Sequence, residues 1–264
     1  MANVTLPGGS KFIHPHDTAN DTVTVYGPGT VIAGSGNDSV TIEGQGLVRL
    51  GSGQDTVTVT GDGSIRAGSG DDSISLAGDG RIWLGAGHDT ITLGSGSDTI
   101  FTAGQATVTG AFGAATIAGG KFEFLHLASG ATEEIAKSGQ ATLLGGSGPT
   151  EFVGGRGSVV MQGGTGSDTF VGGSGHDTMI GGSGGNLFEF LKHDEHGGQS
   201  VIQNFVSGQD QLYLEGHSLA YLQSHGDIRS HDGNTYISLD GGRTTIELKG
   251  VTGLTSKDIL THKP

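Results

Sequence analysis

Residues 34–92 decide the fold: they read GSGNDSVTIEGQGLVRLGSGQDTVTVTGDGSIRAGSGDDSISLAGDGRIWLGAGHDTIT. In this stretch a turn of the form Gly-x-Gly-x-Asp recurs every 17 residues, followed each time by Ser or Thr and a β-branched residue. The four turns contain Gly34, Gly36 and Asp38; Gly51, Gly53 and Asp55; Gly68, Gly70 and Asp72; and Gly85, Gly87 and Asp89. Self-similarity at a fixed short period predicts a stack of equal units, each packing on its neighbours.

The apolar residues between the turns keep the same phase. Val40, Val57, Ile74 and Ile91 occupy one slot, and alternation along a strand turns their neighbours outward. From residue 143 to 188 the period becomes 9, so that two nonapeptides make one coil of 18. Three further aspartates close turns of the same kind: Asp98, Asp168 after Gly164 and Gly166, and Asp177 after Gly173 and Gly175.

These patterns predict an all-β fold, a right-handed parallel β-roll with a small β-rich C-terminal cap. We divide the chain into an N-terminal roll with 17-residue coils (1–98), a metal-poor continuation (99–142), a nonapeptide roll (143–188) and a C-terminal cap (189–264). The continuation keeps the spacing without the aspartates, and it contains one helix-like stretch at 131–137, where we expect a bulge.

The composition restricts the function classes. The chain has 264 residues, with 53 glycines, no cysteine, 33% hydrophobic residues and a formal net charge of −14. A chain with few hydrophobic residues and mutually repelling charges needs an additional source of stability. Disulfides cannot supply it without cysteine, whereas bound divalent cations would. Clustered Lys and Arg for nucleic acid or an anionic membrane are absent, as are a leader-like start and an apolar run of about 18 residues.

The turns have the chemistry of a calcium site. Calcium takes six to eight oxygen ligands, a mixture of carboxylates and backbone carbonyls. The aspartates supply charge, and the glycines permit backbone conformations that bend carbonyls toward one point. We therefore predict a one-sided column of calcium sites from Asp21 to Asp89, which becomes two-sided only in the nonapeptides, where Asp168 and Asp177 lie 9 residues apart on alternate edges. Asp62 and Asp79 recur at the opposite edge in Gly-Asp-Gly turns, which lack the Gly-x-Gly lead-in, and we expect no second column there.

The repeats resemble those of RTX proteins, the secreted calcium-binding family that includes serralysin-type proteases, repeat toxins, epimerase R-modules and giant adhesins. The resemblance covers residues 18–188, and the segment 190–214 is similar to the C-terminal portion of serralysin-like and epimerase proteins. It implies a secreted, extracellular protein that folds on several calcium ions and uses type I secretion machinery. In the second block, Thr150, Val159 and Asn186 replace the aspartate.

No catalytic constellation is found, and we expect a structural or adhesive module that is not an enzyme. The segment 193–196, His-Asp-Glu-His, lacks the spacing of a helical metal motif and is interpreted as a solvated loop. His14, His16 and Asp17 are interpreted as part of a capping coil, in preference to a zinc site.

Two outward rows leave alternative functions open. Ser and Thr repeat on either side of each inward residue, as in ice-binding solenoids, although these residues also simply suit exposed strands. Arg49, Arg66 and Trp83 form the other row, which would suit an extracellular polysaccharide, as in an accessory module of an extracellular enzyme, or a purely structural stack.

Overall fold

A computed structural model describes residues 2–110, 115–119, 122–127, 132–135, 140–192 and 197–264. The chain divides into two compact units, Met1–Ala128 (unit 1) and Ser129–Pro264 (unit 2), and strands are numbered below in chain order. Both units are built almost entirely of parallel β-strands, so the predicted β-solenoid is confirmed. No helix in the described ranges has the length and apolarity that crossing a membrane requires.

Unit 1 consists of two parallel sheets whose strands alternate along the chain. The odd-numbered sheet contains β1 (Asn3–Pro7), β3 (Thr22–Tyr26), β5 (Ser39–Glu43), β7 (Thr56–Val59), β9 (Ser73–Leu76), β11 (His88–Leu93), β13 (Gln105–Gly110) and β15 (Phe122–Leu127). The even-numbered sheet contains β2 (Lys11–Ile13), β4 (Gly29–Ile32), β6 (Gly46–Arg49), β8 (Gly63–Arg66), β10 (Gly80–Trp83), β12 (Asp98–Thr102) and β14 (Ala115–Gly119).

The core of unit 1 consists of β-branched and leucine side chains in narrow rows that face each other from the two sheets. Val57, Ile74 and Ile91 are no more than 2% exposed and pair in register across β7, β9 and β11. Ile65 and Ile82 face them from β8 and β10 and are fully buried. Since every coil contributes the same few apolar side chains, a chain poor in hydrophobic residues still builds a continuous dry core.

Unit 2 repeats this plan with longer coils. One sheet contains β16 (Thr132–Ile135), β18 (Thr150–Val153), β20 (Thr169–Val171), β22 (Leu187–Phe190), β24 (Gln211–Leu214) and β28 (Ile259–Leu260). The other contains β17 (Gln140–Leu144), β19 (Ser158–Gln162), β21 (His176–Ile180), β23 (Gln199–Gln203), β27 (Thr244–Leu248), β26 (Asn234–Leu239) and β25 (Ile228–His231).

Aromatic rings fill the core of unit 2. Phe152, Phe170 and Phe188 are fully buried and stack with centroids 4.9 Å apart, since β18, β20 and β22 pair in register. Met161 and Met179 face them from the other sheet. The period of 9 therefore alternates between the two sheets, as the sequence predicts.

The C-terminal segment differs from the prediction in two ways. Parallel pairing does not stop at Phe188, because β23 and β24 add to the two sheets and are followed by β27 and β28. The antiparallel strands β25 and β26 and helix α1 (Leu219–His225) complete the unit. The prediction of a helix-like stretch at 131–137 is also wrong for the residues that the structure describes there, because they form strand β16.

Candidate metal centre

The column aspartates of unit 1 form a buried ladder along one edge of the solenoid. Asp38, Asp55, Asp72 and Asp89 are each 1–2% exposed. The backbone N–H of Asp38 donates to Oδ1 of Asp55 in the following coil at 2.8 Å, and that of Asp55 donates to Oδ1 of Asp72 at 3.0 Å. Asp21 begins the ladder by donating to Asp38 at 2.7 Å, and Asp72 donates to Asp89 at 3.1 Å.

The second carboxylate oxygen, Oδ2, has no hydrogen-bond partner among the described residues in Asp38, Asp55, Asp72 and Asp89. A buried anion without a partner is strongly unfavourable in a protein interior. Burial accordingly raises the pKa of Asp55, Asp72 and Asp89 from 3.8 to about 6, and neighbouring aspartates add to the shift. A column of divalent cations would neutralise this row of buried oxygens, which lack hydrogen-bond donors, so these residues fit calcium.

The glycines of the turns allow the coils to stack closely enough for this ladder. A Cβ at Gly68 would overlap the carbonyl oxygen of Gly51, and a Cβ at Gly70 would overlap that of Gly53. Gly70 also has φ +132°, a conformation that residues with a side chain rarely adopt. The turn glycines therefore bring successive rows of backbone carbonyls into contact beside the aspartates, and carbonyl oxygens are the other ligands that calcium uses.

The opposite edge of unit 1 is different in burial and in composition. Asp62 and Asp79 are exposed, and Asp62 Oδ1 accepts the N–H of Asp79 at 3.0 Å. They line a groove of about 680 Å³ together with Ser64, Arg81 and other residues of the even-numbered strands. The structure thus separates these exposed carboxylates from the buried column, although whether they bind calcium stays a prediction.

Asp98 belongs to this opposite edge. It lies beside Gly80 in the register of β10 and β12, and not beside Asp89, and its other neighbour is Ala115. Its side chain is 4% exposed, Oδ1 has no hydrogen-bond partner among the described residues, and burial raises its pKa to about 6. A carboxylate of the buried type therefore occurs on the second edge already in unit 1, whereas the sequence interpretation restricts the two-sided arrangement to the nonapeptides.

In unit 2 the two candidate aspartates lie on different edges. Asp168 precedes β20, and its Oδ1 accepts the N–H of Thr150 at 2.8 Å. Asp177 lies in β21 of the other sheet and accepts the N–H groups of Val159 and Gly173, both at 3.1 Å. The turn glycines stack again: a Cβ at Gly164, Gly166, Gly173 or Gly175 would overlap the backbone carbonyl oxygens of Gly146, Gly148, Gly155 or Gly157, respectively.

Sequence reasoning missed how the Asp168 ladder continues and ends. Asn186 replaces the aspartate but keeps its function as an acceptor, because Oδ1 binds the N–H of Asp168 at 3.0 Å. Asn186 in turn donates to Asp210 at 2.8 Å, and the second oxygen of Asp210 accepts the N–H of Val206 at 2.8 Å. The sequence 208–210, Gly-Gln-Asp before an alternating strand, is a shortened form of the turn and could have indicated this position.

The predicted outward rows are formed as strand neighbours in unit 1. On the odd-numbered sheet, Thr56, Ser73 and Thr90 make one row across β7, β9 and β11, and Thr58, Ser75 and Thr92 make a second. On the even-numbered sheet, Arg49, Arg66 and Trp83 lie side by side. The Arg66 guanidinium lies 4.8 Å from the Trp83 ring centroid, and Phe101 stacks on the other side at 5.9 Å. The segment 193–196 lies outside the described residues.

The fold and the site together define a parallel β-solenoid whose edges carry buried carboxylates in calcium-type turns. The family model described as the RTX calcium-binding nonapeptide repeat (4 copies) matches residues 57–100, 144–179 and 153–188. The chain therefore carries RTX calcium-binding repeats, and the resemblance noted from the sequence is confirmed for these segments. The matches include Asp72, Asp89 and Asp98 in unit 1 and Asp168 and Asp177 in unit 2.

The other comparisons add a structural match but no curated relative. No curated protein matches the sequence. Among solved structures, the chain is similar to the crystal structure of a hyperactive, Ca²⁺-dependent, β-helical antifreeze protein from an Antarctic bacterium. The two sequences are 19% identical, the match covers 83% of this chain and 88% of that chain, and the TM-score is 0.32.

Proposed function

We propose that this protein is a secreted, extracellular structural or adhesive module that folds when it binds several calcium ions. The observation that supports the proposal is the row of buried Oδ2 atoms in Asp38, Asp55, Asp72 and Asp89, which lack a hydrogen-bond partner among the described residues. The chain is acidic, so that a metal-free solenoid would concentrate uncompensated charge in its interior. Calcium would remove this penalty at the moment of folding and make folding depend on the ion.

The test is circular dichroism of the full chain after chelation and during calcium titration. We expect a largely unordered spectrum in chelator and a cooperative gain of β-structure with calcium, but little gain with magnesium, which is smaller and keeps its waters. An unchanged β-spectrum in excess chelator would contradict the proposal. Secretion and the type I machinery require a separate measurement, the amount of protein in medium and cells with and without residues 189–264.

An acidic polysaccharide is a second candidate, as the ligand of an adhesive or enzyme-accessory module. Within residues 2–110 the basic residues are Lys11, Arg49, Arg66 and Arg81, and all four lie on strands of the even-numbered sheet. No outward residue of β2, β4, β6, β8, β10 or β12 is acidic. This cationic face (Lys11, Arg49, Arg66 and Arg81) stands out in a chain of net charge −14, with the exposed carboxylates of Asp62 and Asp79 confined to the groove beside Arg81. Because Arg66 and Phe101 flank the Trp83 ring, guanidinium groups and not a free aromatic face would contact the sugar.

Binding to hyaluronan and to neutral dextran in calcium, at low and high salt, tests this candidate. We expect salt-sensitive binding to hyaluronan alone, weakened by Arg49→Ala because its guanidinium is exposed. Arg229→Ala is the matched control, since Arg229 is an exposed arginine on a strand of unit 2. Equal binding to both polymers, or equal losses in both variants, would reject the cationic face as the binding surface.

The paired Ser/Thr rows support ice binding as a further alternative. Parallel strands in register hold their hydroxyl groups at regular intervals along one face of the sheet. Thermal hysteresis measured with calcium tests it. Thr58→Tyr should abolish the activity, and Thr99→Tyr on the other sheet should not. Hysteresis that is absent from the unsubstituted protein would remove this alternative.

A further inference from the structure

The first turn of unit 1 is longer than the turns that follow it. Strands β2 and β4 pair Phe12 with Val31, a separation of 19 residues, whereas β5 and β7 pair Val40 with Val57, a separation of 17. Asp21 and Asp38 nevertheless keep a separation of 17. The two extra residues therefore precede the aspartate turn, in the segment His14-Pro15-His16 that leads from β2 to Asp17.

Asp17 occupies the place that a glycine takes in the later coils. The N–H of Ser35 donates to the Asp17 carbonyl at 2.8 Å, and a Cβ at Gly34 would overlap that carbonyl as a Cβ at Gly51 would overlap that of Gly34. A side chain is tolerated at Asp17 because it belongs to the first coil and has no earlier turn beneath it. The insertion and this substitution together place two additional ligand-type side chains beside Asp21.

The three side chains converge. His14 Nδ1 lies 4.0 Å from Asp21 Oδ2, and His14, Asp17 and Asp21 each offer a ligand atom within 4.8 Å of the other two. Within the part of the chain that the structure describes, no other group of three His, Asp or Glu side chains meets this criterion. The calcium-type turns of the later coils are therefore built differently, with one buried carboxylate each.

We propose that His14, Asp17 and Asp21 bind a divalent transition-metal ion of the zinc class, at a site distinct in chemistry from the calcium column. Calcium takes oxygen ligands, whereas an imidazole nitrogen suits zinc, cobalt, nickel and copper. Two carboxylates and a neutral imidazole balance the double positive charge of the ion. This goes beyond the interpretation of His14, His16 and Asp17 as a simple capping coil.

The surroundings hold these ligands near a binding geometry. Asp21 is 1% exposed and its Oδ1 accepts the Ala2 N–H at 2.5 Å, while the Phe12 ring packs 4.3 Å from the His14 ring. The Ala19 N–H binds Asp17 Oδ1 at 2.9 Å and orients that carboxylate. Ligands at about 2.1 Å from one tetrahedral ion lie about 3.4 Å apart. The 4.0 Å between His14 and Asp21 must therefore shorten by about 0.6 Å, and the widest pair of ligand atoms by about 1.4 Å at most. The His14 side chain is 50% exposed, which leaves room for this shift.

The test is a titration of the full chain with cobalt(II) in saturating calcium, followed by the visible absorption of the bound cobalt. We expect one cobalt ion per chain, displaced by zinc, and at least a tenfold weaker affinity in His14→Ala and in Asp17→Asn. His88→Ala is the matched control, because His88 is an exposed histidine directly before a column aspartate and should bind cobalt like the unsubstituted protein.

Circular dichroism in calcium establishes that each variant is folded, and Asp17→Asn decides the question if His14→Ala is not. Affinity that is unchanged in the folded His14→Ala or Asp17→Asn protein would overturn the proposal. So would cobalt that is bound at several sites and displaced by calcium, since the ion would then occupy the column. Loss of cobalt binding in His88→Ala to the same extent as in His14→Ala would overturn it as well.

Discussion

Asp72→Asn should have opposite effects on the metal-free and the calcium-bound protein. Asparagine keeps an oxygen to accept the Asp55 N–H but removes the buried negative charge of Oδ2, which lacks a partner. The pKa of Asp72 rises from 3.8 to about 6 on folding, a penalty of up to about 3 kcal/mol on the ionised form. Since solvent and chain relaxation relieve part of it, we expect the metal-free fold to gain about 1–2 kcal/mol at neutral pH. Calcium affinity should fall at least tenfold, because a charged ligand is lost.

The assay has two arms, one without and one with calcium. In chelator, folding is driven by an excluded osmolyte such as trimethylamine oxide, and the midpoint should shift to a lower osmolyte concentration in Asp72→Asn. In calcium, calorimetry measures the affinity. Asp62→Asn is the control: Asp62 Oδ1 also accepts an N–H from the neighbouring coil, at 3.0 Å, but the side chain is exposed, so neither arm should change. A metal-free Asp72→Asn protein that folds less readily than the unsubstituted protein would refute the reasoning.

Three further predictions concern pH, packing and turn geometry. Because the pKa values of Asp55, Asp72 and Asp89 are raised to about 6, the folded state binds more protons than the unfolded state between pH 4 and 6, and the metal-free fold should lose stability as pH rises through this range. Calcium affinity should fall as pH drops below about 6, and unfolding and calorimetry at several pH values check the two expectations. Phe170→Ala should destabilise the calcium-bound protein by about 3–5 kcal/mol, because the ring is fully buried between two others, whereas Phe101→Ala, at 40% exposure, should cost much less in the same denaturant titration. Gly70→Ala should weaken calcium binding far more than Gly9→Ala: both have positive φ, but a Cβ overlaps a backbone oxygen only at Gly70, and equal effects in calorimetry would mean that φ alone matters.

The periodic part of the molecule could be predicted because one coil determines the next. Once Val57 is assigned to the inside, the separation of 17 assigns Val40 and Ile74, and the aspartates follow at a fixed distance along the chain. Burial of Asp55 and Asp72 is a consequence of the same register, since neighbouring coils cover each carboxylate from both sides.

What could not be predicted lies where the period is broken. The two extra residues in the first coil are not evident from the sequence, because Asp21 and Asp38 keep the separation of 17 while strands β2 and β4 before them pair at 19. Asp98 is assigned to the opposite edge only when the pairing of β12 with β10 is known. Helix α1 has few residues and weak periodicity, although Ser218 at its N-cap and Gly226 in a left-handed conformation after it are local signals for its two ends.

The hydrogen bonds of the aspartate ladders give the solenoid a direction. Each coil donates its buried N–H to a carboxylate of the coil that follows, and at the start of unit 1 the Ala2 N–H donates to Asp21 Oδ1 at 2.5 Å. The last coil of a ladder therefore still needs an acceptor for its own N–H. In unit 2, Asp210 meets that need and then uses its second oxygen to bind Val206 of its own loop, which ends the series. During synthesis an aspartate N–H finds its partner only after the next coil has emerged. A chain cut between coils would leave an orphan donor at the cut.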